Sequence, residues 1–171
     1  MASCKTEEVK TDTKSDFQFN VEKFADLKIL RYPVSGFDDL SLKQKELLYY
    51  LSQAAIEGRD IMFDQNYRHN LAIRRTLEAV YENYTGDRTT NEFNALEVYL
   101  KRVWFSNGIH HHYSTDKFEP GFNSDYFLSL VSEIDESELP VSKKHIKETL
   151  VPVMFDPTID AKRVNQEQGV D

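Results

Sequence analysis

Apolar residues at helical spacing over residues 73–84 constrain the fold more than any other feature of this sequence. They recur at i, i+4, i+7, i+8 and i+11, the pattern of a helix with one buried face. The residues are Ile73, Leu77, Val80, Tyr81 and Tyr84. Similar runs follow along most of the chain, so the sequence predicts a mainly α fold with at most one or two short strands.

Capping signals indicate where the first of these helices begins and ends. Ser41 with Gln44 has the pattern of a capping box, which places a helix over residues 42–57. Gly58 then serves as its stop. The inward-facing side chains of this helix are expected to be Leu47, Leu48, Leu51 and Ala55.

Three further boundaries follow from the same reasoning. Gly86 is expected to close the helix over residues 73–84 as a left-handed cap, and Thr89 with Glu92 to open the next one. Asn107 and Gly108, which both tolerate positive φ, should end that helix. Its buried stripe should consist of Phe93, Leu96, Leu100, Val103 and Trp104.

The remaining segments carry weaker signals. Residues 27–34 are the one short segment that could be extended. Ser124 can cap a helix that continues to about Ile134, and a last helix is expected over residues 143–155, shortened or kinked by Pro152.

The composition argues against two classes of protein, those that bind nucleic acid and those that span a membrane. The net charge of −8 argues against a protein that binds nucleic acid, because such domains gather Lys and Arg on one face. No apolar run approaches the length of a transmembrane span. Residues 1–15 are too polar to pack and are expected to form a disordered tail, with a helical domain over residues 16–171.

The single cysteine, Cys4, excludes an internal disulfide. Ala2, Ser3 and Cys4 resemble the end of a lipoprotein signal, which makes Cys4 a candidate for lipidation. The alternative is that the match is accidental. The compartment is therefore open between the cytoplasm and a lipid-anchored periplasmic location.

The stretch WFSNGIHHHYSTDKFEPGF, residues 104–122, is the most unusual part of the chain. Neighbouring side chains diverge on a helix or a strand, so at most two of His110, His111 and His112 can serve one site. Three interpretations are open: a surface loop whose imidazoles bond to the backbone, a loop that faces a ligand, and a metal site. The candidates for contact with substrate are Asn107, His110, His111, His112 and Tyr113.

Two charged groups have a structural and a functional interpretation. Arg74 and Arg75 could hold a peptide carboxylate, but a basic pair on a helix is more often a solvated face. Glu57, Asp60 and Asp64 could place carboxylates on neighbouring turns, as general acid–base chemistry requires, although nothing beside them supplies a contrast in pKa.

The stretch 104–122 also carries a resemblance to a family. Together with LSLKQKELLYYLSQAAIEGRDIMFDQNYRHNLAIRRTLEAVY and NEFNALEVYLKR before it and VPVMFDPTIDAKRVNQ after it, it resembles the amino-terminal part of bacterial, Bacteroides-type dipeptidyl peptidase III. The resemblance implies a two-lobed α+β zinc exopeptidase that releases dipeptides from the amino ends of peptides. This chain would be the helical part of its lower, non-catalytic lobe.

The same resemblance implies that catalysis resides elsewhere. The family's zinc is held by a His-Glu-x-x-Gly-His helix and a following Glu-Glu-x-Arg-Ala-acid helix, both downstream of the matched region. None of the five histidines here precedes a glutamate, so no metal or catalytic residue is expected in this chain and it should be inactive alone. Its partners would be peptides and the downstream catalytic lobe, and zinc would be bound only by the full-length enzyme.

Two hypotheses result. In the first, the chain is the amino-terminal lobe portion of such a peptidase and forms one wall of the substrate cleft. Apolar surface should then be exposed over residues 27–34 and at Val151, Val153, Met154 and Phe155. In the second, it is a stand-alone helical binding or scaffold module, tethered through Cys4.

Overall fold

The computed structural model describes residues 17–164, so the predicted tail and Cys4 lie outside the described residues. The chain divides into two compact units, with the boundary between Ser41 and Leu42. The fold is mainly helical with two short strands in one sheet, which confirms the predicted fold class at that level.

The amino-terminal unit contains a β-hairpin. Strands β1 (Asn20–Phe24) and β2 (Leu27–Leu30) pair antiparallel, and Ala25 adopts φ of 48° in the tight turn between them. A register shift follows Asn20, so Val21 forms a bulge. The prediction of an extended segment is confirmed for its first half, whereas β1 was not predicted because its apolar residues do not alternate.

Helices α1 (Leu42–Glu57) and α2 (Arg59–Asn66) follow, separated by Gly58. The bounds of α1 match the prediction. The predicted inward face of α1 is wrong, because no residue of α1 is buried. Leu47, Leu48 and Leu51 are all exposed.

The centre of the second unit consists of α3 (Asn70–Asn83) and α4 (Asn91–Ser106). The predicted stripes are buried at Ile73, Leu77, Val80, Phe93, Leu96, Leu100 and Val103. Trp104 was expected in that stripe but is exposed.

Both predicted caps between these helices are wrong. Gly86 does not have positive φ; α3 ends because Tyr84 turns to an extended conformation. The Tyr84 hydroxyl comes within 2.5 Å of the position that a Cβ on Gly86 would take. The N-cap of α4 is Thr90, one residue after the predicted Thr89.

The chain then forms α5 (Ser124–Glu133), capped by Asn123, and a 3₁₀ turn over Glu136–Glu138. The last helical stretch covers the predicted residues 143–155 but has three parts. These are α6 (Lys143–His145), a π-helical segment (Ile146–Leu150) and α7 (Val151–Phe155). The π segment precedes Pro152, whose ring would collide with the carbonyl of Glu148 in a regular α-helix.

One hydrophobic core joins α2 to α7 in the second unit. Val153 and Met154, which were expected to be exposed, belong to this core, and Val151 and Phe155 pack against it. The predicted exposure near the carboxyl end is therefore wrong. Exposed apolar side chains were also predicted for residues 27–34, and this is confirmed for Leu30, Tyr32 and Val34.

Candidate functional site

Helix α4 ends in a Schellman motif that directs the loop after it. Asn107 lies in the left-handed region at φ of 52°. The Gly108 amide donates to the Val103 carbonyl at 3.0 Å, and the Asn107 amide to the Trp104 carbonyl at 3.4 Å. The predicted end of this helix is therefore confirmed.

Asn70 holds the start of this loop from below. This side chain is almost fully buried; its Oδ1 accepts the Ile109 amide at 3.0 Å and its Nδ2 donates to the Asn107 carbonyl at 3.3 Å. Asn66 Nδ2 donates to the same carbonyl at 3.1 Å. A Cβ on Gly108 would come within 2.1 Å of Asn70, so only glycine fits beside the amide.

Sequence reasoning did not identify Asn66 or Asn70. Asn66 ends α2 and Asn70 begins α3, so their spacing of four residues does not place them on one helix face. No sequence signal singles them out, because their contacts form only when the ends of these helices meet the loop.

The three consecutive histidines have different surroundings. His110 is 3% exposed, and its Nε2 lies 2.8 Å from the Asp160 carbonyl. His111 Nδ1 accepts the amides of Tyr113 and Ser114. The rings of His111 and His112 stack with centroids 4.5 Å apart.

His110 belongs to a small polar cluster under the loop. A carbonyl can only accept, so the neutral imidazole carries its proton on Nε2 and donates to Asp160. Burial lowers the pKa of His110. The Tyr67 hydroxyl donates to the Asp160 carboxylate, and burial followed by this bond raises the pKa of Tyr67.

Aromatic side chains line the outer edge of the loop. Tyr113 is 85% exposed and Trp104 42% exposed. The ring of His112 lies 4.2 Å from that of Tyr113 and 5.2 Å from that of Phe105.

A metal site needs several ligands that converge on one point. Within residues 17–164, no group of three His, Cys, Asp or Glu side chains could hold a metal ion.

A pocket opens beside the end of α4, between α2, α3 and α4. Its volume is about 310 Å³, at the lower end of the range for small-molecule sites. Its walls are formed by Arg59, Phe63, Arg74, Glu78, Trp104 and Asn107. Of the five substrate-contact candidates, only Asn107 lines this pocket.

Arg74 forms the floor of the pocket. It is 4% exposed and its guanidinium stacks on the ring of Phe63, 4.6 Å from the centroid. Nη1 lies 2.8 Å from Asp60 Oδ1 and Nε lies 3.4 Å from Glu78 Oε1; both are ion pairs without the alignment of a hydrogen bond. The expectation of a solvated basic pair is therefore wrong for Arg74 and right for Arg75, which is half exposed.

The carboxylate of Glu78, which lines the pocket, and that of Asp60, which pairs with Arg74, are both bound to other groups. Glu78 Oε1 accepts the indole N–H of Trp104 at 2.8 Å, and Asp60 Oδ2 accepts Arg75 at 2.6 Å. The Arg75 guanidinium, assisted by Arg74, holds the pKa of Asp60 below its usual range. Asp60 is thus an ionised partner and unsuited to act as a general acid near neutral pH.

The arrangement is therefore suited to binding. A buried cation, two aromatic walls and a fixed polar rim can orient a ligand, but nothing among the pocket-lining residues supplies a nucleophile with an adjacent base.

Comparisons with protein-family models and with characterised proteins found no match to this chain. Within residues 17–164, every helix is too short or too polar to cross a membrane.

Proposed function

We propose that this chain is the amino-terminal lobe portion of a zinc-dependent dipeptidyl peptidase and forms one wall of its peptide-binding cleft. One observation carries the proposal. Residues 104–122, the most specific part of the resemblance, supply both a wall of the pocket, at Trp104 and Asn107, and the aromatic loop beside it.

The uncovered surface of α1 gives further support. Its exposed residues include Leu47, Leu48, Tyr49, Tyr50 and Leu51, which lie all around the helix. A turn of helix that is apolar on every side, as residues 47–51 are, is normally enclosed by other parts of a protein. In the proposed enzyme, the downstream polypeptide covers α1, holds the zinc and supplies the acid–base residues, while this chain binds and orients the peptide.

Complementation tests this proposal. The purified chain, with added zinc, is assayed for hydrolysis of a dipeptidyl-arylamide, alone and mixed with the separately expressed downstream part of a full-length family member. We expect no activity alone and measurable activity in the mixture. Activity of the chain alone would overturn the assignment of catalysis to the other lobe, and a mixture without activity would count against the family assignment.

Matched variants make this test specific to α1. Leu48→Asp with Leu51→Asp places two charges on the exposed apolar surface, so we expect the mixture to lose activity. Lys144→Asp changes a side chain that is 80% exposed and pairs only weakly, at 4.0 Å, with Glu148. It should leave complementation unchanged.

One observation favours the second hypothesis, a stand-alone helical binding module. Val153 and Met154 are buried, so the carboxyl-terminal helices close over their own core. A self-sufficient module would stay monomeric at high concentration in sedimentation experiments and would gain no activity from the downstream polypeptide. The anchoring candidate Cys4 lies outside the described residues.

A further inference from the structure

We infer that the pocket beside Trp104 is a binding site for a carboxylate attached to an apolar or aromatic group. The inference concerns the ligand chemistry of this pocket and does not depend on the peptidase proposal. Two kinds of molecule carry such a group: the carboxyl end of a peptide, and a free acid of amino-acid size.

The charge balance of the pocket is the first argument. The charged residues that line the pocket are Arg59, Arg74 and Glu78, which gives it a net charge of +1. The whole chain has a net charge of −8, so a positive pocket is opposite in sign to its surroundings. Such a site attracts an anion.

The available donors are the second argument. Asp60 and Glu78 already face Arg74, Arg75 and the Trp104 indole. The Arg59 guanidinium, by contrast, makes no hydrogen bond or ion pair within residues 17–164. It is exposed at the mouth of the pocket and can bind a carboxylate through two parallel N–H groups.

The walls determine what the carboxylate is attached to. Phe63 and Trp104 present apolar surface, and the indole of Trp104 is held in place by its hydrogen bond to Glu78 at 2.8 Å. A volume of about 310 Å³ accommodates one side chain of aromatic size beside the carboxylate. The ring would pack on Trp104 while the carboxylate meets Arg59.

Trp104 also makes the test direct, because it is the only tryptophan in the chain. Its fluorescence is titrated with three ligands that share one ring: N-acetyl-phenylalanine, its amide, and phenylethylamine. We expect a saturable change with the acid, about tenfold weaker binding of the amide, as the loss of one charged hydrogen bond implies, and no saturable change with the amine. Equal binding of acid and amide, tighter binding of the amine, or no response to the acid would each overturn the inference.

Two variants locate the effect. In Arg59→Gln the acid and the amide should bind within about twofold of each other, because the charged partner of the carboxylate is gone. Lys144→Gln removes an exposed cation outside the pocket and should leave the tenfold preference intact. A preference that survives Arg59→Gln would place the carboxylate elsewhere.

A fourth ligand, the peptide Gly-Gly-Phe, distinguishes the two sources. Tighter binding than that of N-acetyl-phenylalanine would assign the pocket to carboxyl ends of peptides. Equal affinity would assign it to any small aromatic carboxylate. Both results support the binding site; they differ only in the natural ligand that they indicate.

Discussion

The buried amide of Asn70 bonds to the backbone of the chain on both sides of the point where it leaves α4. Its oxygen accepts the Ile109 amide and its nitrogen donates to the Asn107 carbonyl. Both partners are backbone groups, and Asn66 Nδ2 donates to the same Asn107 carbonyl, so the loop conformation depends on amide side chains of α2 and α3. The pocket wall at Asn107 depends on them too.

Replacement of Asn70 should therefore be costly. In Asn70→Ala the amide of Ile109, a fully buried residue, loses its partner, and we expect the free energy of unfolding to fall by about 1–3 kcal/mol. Urea denaturation measures this. Asn83→Ala is the control, because Asn83 is exposed and its Nδ2 donates only to the Ala79 carbonyl of its own helix; the free energy of unfolding should fall by less than about 0.5 kcal/mol. Equal losses would contradict the role given to Asn70.

His110 should make stability depend on pH. Burial, together with Lys117 and Arg163, lowers its pKa, while its bond to Asp160 acts in the opposite direction; the ring of Tyr67 packs against it at 5.1 Å. In the unfolded chain the pKa is about 6.5. As the pH falls through that value, the unfolded state binds a proton first, so the free energy of unfolding decreases until the folded-state pKa is passed.

The variant His110→Gln separates this contribution from others. Glutamine can still donate to the Asp160 carbonyl but does not titrate, so the fall in stability between about pH 7 and pH 5 should become shallower. Urea denaturation of the parent and the variant at a series of pH values measures this slope. A slope unchanged by His110→Gln would show that other groups cause it.

The roles of single residues were the least predictable feature of this chain. Asn107 and the loop were recognisable from composition, but Arg74 was interpreted as a surface cation. Its burial depends on Asp60 and Phe63 of α2 and on Glu78, one turn further along α3. The i,i+4 pair with Glu78 can be seen in the sequence, whereas the contacts with Asp60 and Phe63 form only when α2 and α3 pack.

At the scale of elements, helix extents were predictable, but the capping residues of α4 and α5 were each missed by one position. Thr89 and Thr90 both have capping side chains, as do Asn123 and Ser124. In each case the structure uses the neighbour of the predicted residue. Propensity is the same for both members of a pair, so the choice follows from how the preceding turn enters the helix.

This difference at α4 can be measured. Thr90 Oγ1 accepts the Phe93 amide at 3.3 Å, so Thr90→Ala should lower the free energy of unfolding by about 1 kcal/mol. Thr89 Oγ1 instead donates to Asp87 Oδ1 in an exposed turn, and Thr89→Ala should cost less than half as much. Thermal or urea unfolding of both variants measures the two losses of stability. A larger loss in Thr89→Ala would show that Thr89, the residue predicted from the sequence, is the N-cap of α4.

At the scale of the whole molecule, the fold class was predictable but the distribution of apolar surface was not. Periodicity shows that a helix has an apolar face; it does not show which surface covers that face. The residues near Val153 were expected to lie open and are buried, whereas those near Leu48 were expected to be buried and lie open. Each burial depends on packing partners that are distant in sequence.

The exposure of α1 has a consequence for the timescales on which the chain opens. A helix of 16 residues with no buried side chain has only marginal stability of its own, so its amide protons should exchange with deuterium within seconds to minutes. The amides of α4, whose stripe is buried, should exchange orders of magnitude more slowly. Mass spectrometry of peptides from α1 reads this directly, and slow exchange there would show that α1 is covered in solution. The same peptides would identify a partner that docks on α1, because its binding would turn the fastest-exchanging helix into a protected one.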